Sequence, residues 1–375
     1  MSADVQADRP AVPAAQLRGH APGPVHIVRF TSDGRYCLTG AADRTVRLWN
    51  PTRADPAWRP PAARGGGAGT SGSFVSAQEY YGGGGGGGGA GDGRDELPSS
   101  LPMMSYADGH MHPVHAVGTN PSSTVLLSAT DKTLLATDMV TAQNRCRFWG
   151  HSARIECVCS VGEEIYATSS YDSTVKLWDA RSRSREPLAT LAEAKDAVTC
   201  VRATVHAPQL VTSSVDGKVR TYDMRTAQVI TEDAVRPVTH FSLTADELTI
   251  AASCLDDVIR VWDCPDAYDV AGGRKRVRTK LHSHHKCERF RVECDVTSDD
   301  AHCVSGSECG NVAVYPLGDG GAGGTPPATV LRRHEGPTCS VAACPDGGRP
   351  WLVVSASYDG TAVVWASEAQ YDSVR

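Results

Sequence analysis

The side chains of this 375-residue sequence that could hold a metal or move protons and electrons are its 13 histidines and 13 cysteines. Their densest grouping is His282, His284, His285 and Cys287. A closed zinc site asks for four ligands at a recurring spacing, and one of these histidines already belongs to a longer pattern. His110, His112 and His115 meet the same objection, because strand alternation lets only some of them point together. The eight glycines Gly82 to Gly89 match G-x-G-x-x-G letter by letter. That run follows no strand and opens no helix, so it lacks the geometry that cradles phosphate. Gly217-Lys218 has neither the upstream glycine nor the following hydroxyl of a P-loop. No serine, cysteine or carboxylate pair stands in a recognisable catalytic context. These residues point to a protein without an active site, a metal or a cofactor.

The longer pattern pairs an aspartate in a turn-like dipeptide with an aromatic residue six positions on, and the offset recurs seven times. The pairs are Asp43 and Trp49, Asp131 and Thr137, Asp172 and Trp178, Asp216 and Tyr222, Asp256 and Trp262, Cys309 and Tyr315, and Asp359 and Trp365. Cys309 replaces one aspartate and Thr137 one aromatic. Asp131 to Asp172 is 41 residues, Asp172 to Asp216 is 44 and Asp216 to Asp256 is 40, close to the roughly 40 to 45 residues of one propeller blade. The 88 residues from Asp43 to Asp131 are anomalous. A histidine stands upstream in five repeats, as His20, His110, His151, His285 and His334, and repeats four and five lack it. Trp178-Asp179 and Trp262-Asp263 supply the dipeptide that names WD repeats.

The elements that must position these residues are strands. Thr174-Val175-Lys176-Leu177-Trp178 alternates at period two, and turn signals such as Asp216-Gly217 and Asp359-Gly360 separate the runs. The expected fold is all-β, a seven-bladed WD40 propeller in which four-stranded sheets pack face to face and ring closure leaves only short exposed edges. Ala14 to Arg18 is expected to supply the outer strand of the last blade and so close the ring. In WD propellers generally, a histidine, a second-strand hydroxyl, the turn aspartate and the aromatic form a hydrogen-bonded chain. His151, Ser170, Asp172 and Trp178 fit that pattern best, and the chain is structural rather than catalytic.

The expected organisation is a disordered N-terminus over 1–13, one propeller over 14–366 and a tail over 367–375. A glycine-rich insertion of about 54–98 interrupts it. Closing so long a loop costs only roughly 2 kcal/mol, which a large propeller tolerates. Phe74 and Glu79-Tyr80-Tyr81 within the insertion read as spacer before peptide motif. Small inserts fall at about 266–280, with the basic run Arg274 to Lys280, and at 318–327. A net charge of −6 gives no global attraction to phosphate or anionic lipid, so RNA is expected only through protein partners. The first residues lack a secretory pattern, no apolar run could span a membrane, and the scattered cysteines read as small buried hydrophobes in a reducing compartment. The expected location is cytoplasmic and nuclear.

Beyond the repeat grammar, Val28-Arg29-Phe30 through Asp33-Gly34-Arg35-Tyr36 to Val46-Arg47-Leu48-Trp49-Asn50-Pro51 resembles the first repeat of the mitogen-activated protein kinase organizer family. Ser214-Val215-Asp216-Gly217-Lys218-Val219-Arg220-Thr221-Tyr222 and Ser253-Cys254-Leu255-Asp256 resemble its fourth and fifth repeats, which also lack the histidine. The resemblance implies a scaffold for MAP kinase cascade components, or a spliceosomal component acting in pre-mRNA splicing, with proteins as partners and no small-molecule substrate. The partners are expected on the narrower face, at Arg154, Tyr171, Arg236 and Tyr358, since aromatics and arginines commonly carry interface energy. The competing expectation is a substrate-recognition propeller of a ubiquitin ligase or chromatin complex, which calls for an arginine-rich mouth to the central channel.

Overall fold

The computed structural model describes residues 12–20, 23–53, 97–182, 186–264, 279–282, 284–317 and 329–367. Phe74, Glu79-Tyr80-Tyr81, most of the basic run and the inserts at 54–96, 265–278 and 318–328 lie outside these residues, as do 1–11 and the tail from 368.

Seven antiparallel sheets follow one another along the chain. Blade three is typical: Ile155–Ser160, Ile165–Ser170, Val175–Asp179 and Ala189–Leu191 run from the innermost to the outermost strand. The first strands of successive blades contact one another in order, and that of blade seven, Thr338–Ala343, returns to that of blade one, Val25–Phe30. The contacts therefore close into a ring. The second strands are buried along almost their whole length, because each sheet is covered on both faces by its neighbours. The apolar clusters accordingly form between blades, as where Cys157, Leu177, Val201, Tyr222, Phe241 and Trp262 join blades three, four and five.

The ring is clasped by Val12–Leu17, which pairs antiparallel with Ala362–Ala366 of blade seven. The strand starts at Val12, inside the segment expected to be disordered. A fifth strand, Ser99–Ser100, adds parallel to the clasp opposite Gln16 and Leu17. Leu97 is buried against Val304, Trp351 and Trp365. Leu97 and Pro98 thus belong to the fold rather than to the insertion, since Leu97 fills an apolar gap and the Pro98 carbonyl accepts the Gln16 N–H at 2.8 Å. The insert expected to reach 280 also ends earlier, because Thr279–Leu281 is the outer strand of blade five.

At the Asp turns the carboxylate caps the turn: Asp172 Oδ1 accepts the Thr174 N–H at 3.0 Å and its hydroxyl at 2.6 Å, and Asp359 does the same for Thr361. Gly360 follows with φ +84°, and a Cβ there would stand 2.9 Å from the Gly23 carbonyl. Glycine is required on both counts.

Candidate functional site: blade networks, axial channel and the docking face

Three blades carry the complete polar chain. In blade three the Trp178 indole donates to Thr168 Oγ1 at 2.8 Å, Thr168 meets His151 Nε2 at 2.8 Å, and His151 Nδ1 meets Asp172 at 2.8 Å. An indole only donates and a carboxylate only accepts, so every proton in the chain points toward the aspartate and His151 carries its proton on Nδ1. Blade one repeats this with Trp49, Thr39, His20 and Asp43, and blade seven with Trp365, Ser355, His334 and Asp359. Burial works against ionisation of Asp172 and Asp359, yet the histidine bonds override it and hold both below the ordinary aspartate range.

The expected hydroxyl, Ser170, is not the one used. It lies on the same face of the strand two residues nearer the turn, where it donates to the Ala153 carbonyl at 3.1 Å and accepts the Asp172 N–H at 3.2 Å. Thr168 sits mid-strand opposite Lys176, within reach of the indole.

The other four blades substitute. In blade two His110 meets Ser128 Oγ at 3.0 Å, but Asp131 turns to His112 and His115 instead. With Thr137 bonded to Asn144 at 2.8 Å, no indole completes the chain. Burial, then the Arg147 charge, pushes His110 down to about 4. In blades four and five, which lack the histidine, Arg220 and Arg260 fork onto Asp216 and Asp256, each with a shortest contact of 2.6 Å. Tyr222 is buried in the interblade core, and the Trp262 indole donates to Glu232. In blade six Cys309 stands where the turn aspartate of the other blades would face His285. The His285 Nδ1 lies 3.2 Å from the Gly306 carbonyl, its Nε2 lies 3.2 Å from Ser253 of blade five, and Cys309 is exposed.

A second polar assembly crosses the channel. In blade three the strand register shifts between Ile155 and Cys157, leaving Glu156 between them without a cross-strand partner. Such a bulge re-aims a side chain. Glu156 is buried, and Arg154 Nε donates to it at 2.5 Å. Arg291 reaches over from blade six, donating to the Glu156 carbonyl at 2.8 Å. It also ion-pairs with Glu293 at 2.9 Å, at an angle that makes no hydrogen bond. Glu293 in turn receives Arg29 of blade one at 2.6 and 2.9 Å and Ser340 of blade seven at 2.5 Å. Burial would raise the Glu293 carboxyl, but Arg29, His240 and Arg291 override it and keep it far below the usual range.

Four arginines therefore do converge on the axis: Arg29, Arg154, Arg291 and Arg202, the last 3.4 Å from Asp295. Glu156, Glu293 and Asp295 lie among them, so the channel is a nearly neutral plug rather than a cationic mouth. The sequence carries a signal for this, since Arg154-Ile155-Glu156-Cys157 and Arg291-Val292-Glu293-Cys294 repeat the pattern Arg, β-branched aliphatic, Glu, Cys at the start of blades three and six.

Above the plug, on the face bearing the blade-entry loops and Asp turns, an aromatic cluster surrounds the axis. Arg154 lies over the Tyr171 ring at 4.8 Å. His26 and His115 are 4.9 Å apart, His26 and Tyr358 are 5.7 Å apart, and Tyr358 and Phe290 are 5.3 Å apart. Tyr171 is 47% exposed. Three of the four expected face residues, Arg154, Tyr171 and Tyr358, are thus brought to this mouth, while Arg236 stands beside Asp256 at 3.9 Å. His26 and Phe290 are additions. Among the described residues no group of three or more potential metal ligands occurs, and the histidines near Cys287 do not converge.

Six four-stranded sheets and one five-stranded sheet close into a seven-bladed β-propeller, and residues 11–50, 143–179, 185–223 and 325–366 match the WD domain, G-beta repeat family. All three blades with the complete chain fall in those segments. The sequence is similar to WD repeat domain-containing protein 83 homolog of Dictyostelium discoideum, 26% identical over 329 residues covering 80% of this chain and 84% of that protein. It is 33% identical to WD repeat domain-containing protein 83 of Rattus norvegicus over 140 residues, 37% of this chain and 41% of the relative. It is also 24% identical over 216 residues to the pre-mRNA-splicing factor cwf17 of Schizosaccharomyces pombe, 57% of this chain and 49% of that protein.

Proposed function

We propose that this chain is a non-enzymatic protein–protein scaffold of the spliceosome, acting in pre-mRNA splicing in the nucleus and present also in the cytoplasm. The carrying observation is the contiguous cluster of Arg154, Tyr171, His26, Tyr358 and Phe290 around one mouth of a channel that is itself plugged. A partner finds there an aromatic surface with the Arg154 guanidinium at its rim, the composition of interface anchors. The likeness to a protein named as a pre-mRNA-splicing factor supports the choice of assembly. A net charge of −6 favours contact with RNA through other proteins.

A second reading, a scaffold for MAP kinase cascade components, rests on the resemblance of repeats one, four and five to the kinase organizer family and on the likeness to WD repeat domain-containing protein 83. Mass spectrometry of proteins co-purified with the tagged chain, with and without RNase, separates the two. Spliceosomal proteins retained after RNase support the first reading, kinase components support the second, and recovery of neither removes both. The joint change Tyr171→Ala and Tyr358→Ala is expected to release the partner. Undiminished recovery would place docking elsewhere.

A further inference from the structure

From the contact of two thiols in the channel wall, we propose that Cys157 and Cys200 form an oxidisable dithiol, a covalent modification site that staples blades three and four when a small hydroperoxide reaches it. The two residues lie on the innermost strands of adjacent blades, Ile155–Ser160 and Val198–Ala203, and their Sγ atoms stand 3.8 Å apart. Both strands have a register shift immediately before the cysteine, so each thiol leaves a strand that is locally bent rather than one held flat by continuous pairing.

The surroundings favour a thiolate at one member. The hydrogen bond with Cys200 lowers the Cys157 thiol, against burial and aided by the charges of Arg291 and Arg29. Burial, then the same hydrogen bond, pushes Cys200 upward. Cys157 is therefore the nucleophile and Cys200 the resolving thiol. At the opposite mouth of the channel a cavity of about 310 Å3 is lined by Arg29 and Arg202, two of the arginines that act on the pair.

The chemistry balances with the hydroperoxide as sole oxidant. The Cys157 thiolate attacks the terminal peroxide oxygen and the O–O bond breaks. The departing oxygen takes up the proton that Cys157 released and leaves as water, or as an alcohol from an alkyl hydroperoxide. Cys157 is now a sulfenic acid. Cys200 gives up its proton and attacks the Cys157 sulfur, the S–O bond breaks, and the hydroxide combines with that proton as a second water. Two thiols are oxidised to one disulfide, and one peroxide bond is reduced. Blade six contains its own control in Cys294 and Cys303, which are also hydrogen-bonded to each other. That bond and burial push the Cys294 thiol well above its ordinary value, and the charged side chain acting on it is Asp295, where Cys157 has Arg291 and Arg29.

The test uses the full-length reduced protein carrying Cys309→Ser, which removes the exposed thiol and with it disulfides between molecules. One equivalent of hydrogen peroxide is added, and the protein is then unfolded, alkylated with N-ethylmaleimide and mapped by mass spectrometry. The expected result is joint loss of alkylation at Cys157 and Cys200 with a linked peptide, while Cys294 and Cys303 stay alkylated. Adding Cys200→Ser should leave a sulfenic acid at Cys157 that dimedone traps. Because the wild-type pair is read directly, the result does not depend on that variant folding. Both cysteines still alkylated after Cys294 or Cys303 has oxidised would overturn the proposal, and so would disulfides joining either cysteine to another residue.

Discussion

Arg291, in the segment entering blade six, donates to the main-chain carbonyl of Glu156 in blade three at 2.8 Å, a bond across the ring. A carbonyl cannot be neutralised or protonated away near neutral pH, so this contact outlasts changes that would silence the Glu156 carboxylate. The same guanidinium faces Glu293, which is held from blades one and seven. Four blades thus meet through one pair of carboxylates.

Removing one member of such an assembly leaves the others buried without compensation, at a cost of about 3 to 5 kcal/mol. Arg291→Ala is therefore expected to destabilise the protein by roughly 3 kcal/mol in urea unfolding, Arg29 still covering part of the Glu293 charge. A loss below about 0.5 kcal/mol, the usual range of a surface change, would mean that the plug does not hold the blades.

Thr168→Val keeps the shape of the side chain while stranding His151 Nε2 and the Trp178 indole. Each unsatisfied buried group costs about 1 to 3 kcal/mol, so the expected loss exceeds about 2 kcal/mol. Ser170→Ala disturbs only a turn and should cost about 1 kcal/mol. Equal losses from the two variants, measured by thermal or urea unfolding, would contradict the assignment of Thr168 to the chain.

Acid should act in two stages. Burial, then the charges of His26, Arg154 and Arg291, lowers His115 to about 3, and His110 lies at about 4. Their unfolded values are near 6.5, so below that pH the unfolded chain takes up protons first. Their contribution is complete above about 6.5 and declines as pH falls toward 4 and then 3, at up to about 1.4 kcal/mol per pH unit for each. The depressed carboxylates Asp172, Asp359 and Glu293 contribute above about pH 4 and are lost only below it. The urea midpoint is expected to be lower at pH 5 than at pH 7, with a shallower fall in His115→Gln. An unchanged midpoint at pH 5 would count against the neutral buried histidines.

Deleting residues 1–18 should open the ring, because the edge of Ala362–Ala366 loses its whole partner strand and unpaired edges invite association. A lower melting temperature and concentration-dependent aggregation are expected in light scattering. A monomeric variant with unchanged melting would show that the clasp is dispensable.

The spacing of aspartate to tryptophan exposed the blades because it is local: six residues span one turn and one strand, so a single repeat contains the whole signal. The clasp was legible for a related reason, since blade seven ends one strand short. Thr168 could not be told from Ser170, because both hydroxyls share a strand face and only the reach of the Trp178 indole separates them. The channel network was hidden because its members are far apart in sequence and meet only when the ring closes. Arg29 and Glu293 are 264 positions apart. The pairing of Ser99–Ser100 with the clasp was equally invisible, since two residues carry no period.

That short parallel pairing gives the glycine-rich insertion a mechanical position. On one side the chain leaves blade one at Arg53, whose carbonyl accepts the Ser100 hydroxyl at 3.0 Å, and on the other it re-enters beside Gln16 and Leu17. Both ends are therefore anchored at one seam, the seam where the two ends of the propeller are joined. A load applied through the insertion is delivered to the ring's fastening rather than to a blade, and it would be felt there as shear along the clasp.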